Sequence, residues 1–294
     1  MSAGKPSLQE ASMAVRINSF REIAGRYDVV LCDVWGVLHN GIQAFASACE
    51  ALAEARAQGL TVVLITNSPR PHPGVTVQIR GLGVPDEAYD RIVTSGDVTQ
   101  ALIAAADKRI FFIGADRDLP LLEGLGTEIV SADEAETIVC AGFYDDETET
   151  PEHYRATLTG LAKRKIPFIC ANPDLVVERG HRLIPCAGAI ANLYEELGGE
   201  ARIAGKPYIA IYRAALAEAK AARGAFDLSR VIAIGDGMPT DVKGAQDAGF
   251  DLLYISAGIH AQEYMHESRT DEARLMAFLR QNGAQPKWWM PRLA

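Results

Sequence analysis

The chain has 294 residues, 48% of them apolar and 23% charged, with a formal net charge of −9. That length and apolar share suit a real core in one large or two medium domains and exclude a disordered chain. The acidic balance speaks against nucleic acid or an anionic membrane surface as partner, because both demand a basic footprint.

Taken in order, "VVLCDV" at 29–34 is the first buried strand expected, ending in Asp33. A helix follows over 44–58, closed by Gly59, and then a second strand, "TVVLITN" at 61–67. The middle of the chain has a rhythm of its own. "RIFFIG" (109–114), "ETIVCAG" (136–142) and "KIPFICAN" (165–172) read as strands, and "RDLPLLEGLG" and "PEHYRATLTGLAKRK" as the helices between them. The acidic "YDDETETPEH" (144–153) lacks convergent ligand spacing and reads as a solvated loop and helix start. Beyond it come "IAGKPY" (203–208), a helix over 208–222 ending before Gly224, and two more buried strands, "VIAIGD" (231–236) and "DLLYIS" (251–256). The tail "QPKWWMPRLA" carries Trp288 and Trp289 and is expected to pack on its own domain or on a partner subunit.

Continuous apolar strands alternating with amphipathic helices imply an α/β fold, a Rossmann-like, doubly wound parallel sheet covered on both faces. The middle segment reads as a smaller α/β unit inserted into it. The expected division is 1–96 for the first part of the core, 97–199 for the insert and 200–294 for the rest of the core.

The five cysteines, Cys32, Cys49, Cys140, Cys170 and Cys186, form no C-x-x-C pair and lie in or beside apolar stretches. They read as buried hydrophobes in a reducing cytosol. No signal peptide is expected, and no apolar run approaches the ~20 residues of a membrane-spanning helix. A cytoplasmic protein is expected.

Ligands of such sheets sit at the carboxyl ends of the strands, where Asp33, Thr66, Asn67 and Asp236 all fall. Asp33 with Gly36 after it stands at a turn whose N–H groups can face an anion, though aspartates also end strands for turn reasons. Thr66 and Asn67 offer a hydroxyl and an amide to a phosphoryl oxygen; they also suit a turn or cap before Pro69. Lys206 lies between Gly205 and Pro207 at a helix start, against the dipole, a placement that a bound anion would justify, although an exposed lysine is ordinarily a solvated one. Asp236 and Asp241 flank another helix start and suit Mg²⁺ as hard oxygen ligands; Asp241 also suits a first-turn acid favoured by the helix dipole, which does not account for Asp236. There is no G-x-x-x-x-G-K-[ST] loop, no G-x-G-x-x-G after the first strand and no paired zinc spacing.

In this order, Asp at a strand end, Thr-Asn, G-K-P and G-D-x-x-x-T-D, the segments resemble the four-motif series of the haloacid dehalogenase (HAD) superfamily. The chain is similar to the class IIA, NagD-like and pyridoxal-phosphatase-like branch over residues 27–258. "VTSGDVTQAL" (93–102), "CANPDLV" (170–176) and "GAIANLYEELGG" (188–199) resemble counterparts there. The resemblance implies a phosphatase acting on a small phosphate ester, with Asp33 as nucleophile and Lys206 neutralising charge. It implies Mg²⁺ held by Asp33, the main-chain carbonyl of Trp35 and Asp236, with Asp241 alongside. Thr66 and Asn67 would bind phosphoryl oxygens, while Asn172 and Asp174 of the inserted cap would close over the leaving group. A homodimer through the cap is also implied.

The departure is Trp35, where phosphatases of this superfamily place a second aspartate to protonate the leaving oxygen. Indole cannot do so, and general acid–base help contributes ~10²–10⁴-fold. The substrate could have a good leaving group, another group such as His39 could stand in, or the protein could bind phosphorylated ligands without useful turnover. Trp35 could also serve as a hydrophobic wall beneath the cap.

Overall fold

The computed structural model describes residues 14–179, 182–266 and 269–294. Its larger sheet has seven strands, in the order Val15–Arg16, Trp288–Met290, Asp251–Ile255, Val231–Gly235, Val29–Asp33, Thr61–Thr66, Arg91–Thr94. All six pairings are parallel. The apolar runs form strands because both faces are covered. Val30 and Cys32 point into one hydrophobic cluster, whereas Val29 and Leu31 point into another on the opposite face. The helices Ala46–Ala57 and Ile209–Arg223 form close to where the periodicity places them, the latter ended by Gly224 at φ +88°.

The tail is itself a strand. Trp288 pairs with Leu253 and Trp289 with Tyr254, both indoles are buried, and Trp288 Nε1 donates to the Tyr27 hydroxyl at 2.9 Å. Three further core strands thus join the four expected: Val15–Arg16, Arg91–Thr94 and Trp288–Met290.

The second sheet has five parallel strands, ordered Ala201–Ile203, Phe168–Cys170, Thr137–Cys140, Arg109–Ile113, Glu128–Ile129. Its edge strand Ala201–Ile203 lies past residue 199, so by sheet membership the inserted unit extends to Ile203. A hairpin, Val176–Arg179 with Arg182–Pro185, projects from the unit. Within the acidic loop, Asp145 behaves as expected and caps the Glu147 N–H. Asp146 does not: its side chain is only 11% exposed and accepts from both Arg117 and Arg179. All five cysteines are buried and unpaired. Among the described residues no helix is long and apolar enough to cross a membrane.

Candidate active site

Val231–Gly235, Val29–Asp33 and Thr61–Thr66 are the three adjacent central strands, with Cys32 opposite both Ile234 and Leu64, and Asp33 opposite Ile65. Neighbouring strands lie ~4.8 Å apart, so their carboxyl ends bring Asp33, Thr66 and Asp236 together. The strand order also reverses here, the chain winding one way from Asp33 and the other way from Gly235. Lys206 arrives on the segment returning from the second sheet. Its ammonium donates to Asp33 Oδ1 and, at 2.7 Å, to Asp241 Oδ1. Asp241 Oδ2 accepts from the Gly237 N–H at 3.1 Å, and Asp236 Oδ2 from the Ile259 N–H at 2.8 Å. All four charged side chains are buried, and the carboxylates of Asp33, Asp236 and Asp241 offer oxygens within 4.8 Å of one another.

Three carboxylates against one ammonium leave this pocket short of positive charge. Burial, then Asp241, pushes the Asp33 acid well up despite Lys206. The same two causes raise Asp236 to about 7. Burial works against the Lys206 ammonium, but Asp241 and Asp33 outweigh it and hold its pKa above the ordinary value. A hard dication suits this donor set: clustered carboxylate oxygens that are costly to ionise without one.

Lys206 is therefore neither a solvated lysine nor one waiting only for an anion; two carboxylates fix it. Gly205 adopts φ +77°, and a Cβ there would fall 2.7 Å from Asn67 Oδ1. That close approach is why glycine precedes the lysine. Asn67 serves as a clamp. Its Oδ1 accepts from the Lys206 N–H at 2.7 Å, and its Nδ2 donates to Asp174 Oδ1 at 2.8 Å and to the Lys206 carbonyl at 3.2 Å. An amide so engaged is not offering its side chain to a phosphoryl oxygen. It ties the core strand to the inserted unit, where Asn172 Oδ1 accepts from the Asp174 N–H. The Gly36 N–H donates to the His39 carbonyl at 2.8 Å, so it is not turned to an anion. Two residues passed over in the sequence are Gly258 and Ile259. A Cβ on Gly258 would lie 1.9 Å from Asp236 Oδ2, and Ile259 holds that oxygen through its N–H. Their signal is a glycine three residues beyond the Asp251–Ile255 strand end.

Trp35 stands edge-on to the His39 ring, centroids 5.0 Å apart. His39 is buried, its Nδ1 accepts from the Gly41 N–H, and burial lowers its pKa to about 4. The ring is thus neutral near pH 7 and lacks the proton that a replacement acid would have to give. A cavity of about 490 Å³ is lined by Asp33, Trp35, Thr66, Lys206, Asp236 and Asp241. A second, of about 130 Å³, abuts it, with Trp35, Thr66, Asp174 and Val177 lining both.

A doubly wound core carrying an inserted α/β unit, with clustered acids and one lysine at the strand tips, defines a class shared with known hydrolases. A haloacid dehalogenase-like hydrolase family model matches residues 30–128, and a HAD-hydrolase-like model residues 203–277. A haloacid dehalogenase-like hydrolase from Brucella suis 1330 is 52% identical in sequence, with TM-score 0.86, covering 95% of this chain and 100% of that one. The chain belongs to the haloacid dehalogenase-like hydrolase family. The D-glycerol 3-phosphate phosphatase of Mycobacterium tuberculosis is 27% identical over 251 residues, 82% of this chain but 66% of that relative's length. NagD from E. coli K-12 shares the fold, with TM-score 0.65 at 23% identity, over 90% of this chain and 96% of that one.

Proposed function

We propose that the protein is a Mg²⁺-dependent phosphatase of small phosphate monoesters, working through an aspartyl-phosphate on Asp33. The observation that carries this reading is the buried set Asp33–Lys206–Asp241, with Asp236 beside it, at the open end of the central strands. The Asp33 carboxylate attacks phosphorus in line, and the bond from phosphorus to the ester oxygen breaks, the electron pair leaving with that oxygen. Water then attacks the aspartyl-phosphate, releasing inorganic phosphate and restoring the carboxylate. Lys206 offsets the negative charge shared by Asp33 and the phosphoryl group, Thr66 flanks that group with its hydroxyl, and Asn67 holds the lysine's main chain in place. Asp33, Asp236, Asp241 and the main-chain carbonyl of Trp35 would hold Mg²⁺, whose charge stabilises the phosphoryl oxygens. Asn172 and Asp174 close over the leaving group from the inserted unit. With indole at position 35, esters whose oxygen leaves without protonation, aryl or acyl phosphates, are the favoured substrates. The activity of the mycobacterial relative supports the monoester class. A cytoplasmic location, in keeping with five unpaired thiols, and a homodimer through the insert belong to the same proposal.

Phosphate release from p-nitrophenyl phosphate, with and without Mg²⁺, tests it. Turnover should need the metal and vanish in Asp33→Asn; undiminished turnover in that variant sinks the reading. Trp35 favours a second reading, a binder of phosphorylated ligands that does not turn them over. Inorganic phosphate would then raise the melting temperature, with no release from any ester.

A further inference from the structure

The smaller cavity is lined by residues from both units: Arg70 from the core turn just after Asn67, and Arg117, Asp118, Asp146 and Arg179 from the insert. Three guanidinium groups thus face three carboxylates, the third being Asp174, which accepts from the neutral Asn67 amide and whose acid is raised by burial. The carboxylates are unequal. Asp146 is shared between Arg117 at 2.7 Å and Arg179 at 2.9 Å, a fastening internal to the insert. Asp118 lies 4.0 Å from the Arg117 Nε, and burial raises its acid, which weakens its use as a counter-charge. Arg70 has neither. Its guanidinium donates to Gln78 Oε1, a neutral acceptor, and among the described residues it forms no ion pair. Burial, with Arg117 and Arg179 adding to it, disfavours its charge, although Asp118 opposes them. A guanidinium does not shed its proton at physiological pH, so this half-buried charge, with no carboxylate of the described residues in contact, is available to an anion from outside.

Position gives that anion its meaning. Arg70 sits three residues after Asn67, and the cavity shares Trp35, Thr66, Asp174 and Val177 with the one holding Asp33. We propose that the smaller cavity binds a carboxylate carried on the leaving part of the substrate, with Arg70 as its principal partner. The inference rests on the phosphatase reading and narrows it to small phosphate monoesters bearing a carboxylate. The size of the cavity, about 130 Å³, suits so compact a group. Arginine is also the side chain whose planar fork matches a carboxylate in two parallel hydrogen bonds.

Calorimetric titration of the full-length, Mg²⁺-loaded protein with 3-phosphonopropionate and with propylphosphonate tests it without any need for turnover. The two ligands share the phosphonate and the chain length and differ in the terminal carboxylate. The carboxylate-bearing ligand should bind at least about tenfold tighter. In Arg70→Gln the ratio of affinities should fall to within about threefold of one, and Arg70→Lys should keep part of it. Arg117→Gln, at a half-exposed position, is a second variant and should lower the ratio less. Equal affinities in the unmodified protein, or a preference that survives both glutamine variants, would overturn the proposal. Failure of the phosphatase reading shows separately, as absence of phosphate release from p-nitrophenyl phosphate.

Discussion

The two ends of the site are built from different materials. At the end proposed to take the phosphate, Asp33 and Asp236 come from the tips of adjacent strands, Asp241 from a helix start, and Lys206 from a turn whose glycine admits no side chain. Each is held by a neighbour: Lys206 by two carboxylates, Asp241 by the Gly237 N–H, Asp236 by the Ile259 N–H. At the other end, Arg70, Arg117, Asp118, Asp146 and Arg179, together with the indole of Trp35 that lines both cavities, come from loops, a short helical turn and a hairpin on two separate sheets. Sheet register fixes the first end, so its chemistry follows from the fold. Nothing in the register fixes the second, so it is where one chain can differ from its relatives.

The comparison predicts unequal losses. Asp33→Asn removes the proposed attacking group from the rigid end and should lower phosphate release from p-nitrophenyl phosphate by ~10⁴-fold or more, measured as initial rates with Mg²⁺ present. Trp35→Asp acts at the other end and should do the opposite. Restoring a proton donor should raise turnover of alkyl phosphates by ~10²-fold, with little effect on p-nitrophenyl phosphate, whose oxygen leaves unaided. Equal gains on both esters would show that the indole obstructs binding and not that an acid is missing.

This division also governs what could be read from the sequence. The four central strands are legible because burial on both faces leaves continuous β-branched runs, as in "TVVLIT". Asp33, Lys206, Asp236 and Asp241 are legible because each stands at the end or start of such an element. Val15–Arg16, Glu128–Ile129 and Trp288–Met290 are two or three residues long, too short to show any period. The clamp role of Asn67 has no local signal, because its partners, Lys206 and Asp174, lie 139 and 107 residues away. In the sequence Asp146 reads as one more solvated acid, since its arginines are contributed by distant segments. The Arg70 cavity has no sequence signature for the same reason.

Charge at the phosphate end yields a prediction about stability. The Asp236 acid, raised from 3.8 to about 7, lets the folded chain hold a proton that the unfolded chain has already lost. Its contribution is therefore complete below pH ~4 and is lost as pH rises towards 7. Thermal unfolding in a chelator should show the melting temperature of the unmodified protein falling across that window relative to Asp236→Asn. Mg²⁺ at a hundred times its Kd should add about 2.7 kcal/mol and flatten the difference, because it replaces the proton as counter-charge. A melting temperature indifferent to Mg²⁺ would contradict the assignment of these acids as its ligands.

The smallest effect is expected farthest from both ends. Trp288 belongs to a strand separated from Val29–Asp33 by two others, and its ring is exposed only slightly at 7%. Trp288→Phe removes the hydrogen bond to the Tyr27 hydroxyl and a little buried ring area, which together should cost about 1–2 kcal/mol in denaturant unfolding. Tyr27 keeps its bond to Asp251 Oδ2 at 2.7 Å, so no buried hydroxyl is stranded and the loss stays at the low end of core truncations. Turnover should not change, because the strand meets the site only through the intervening sheet. If kcat or KM moved more than stability did, the tail would have to reach the ligand. The tryptophans would then belong with Trp35 and the arginines, as part of the variable end, and not with the scaffold.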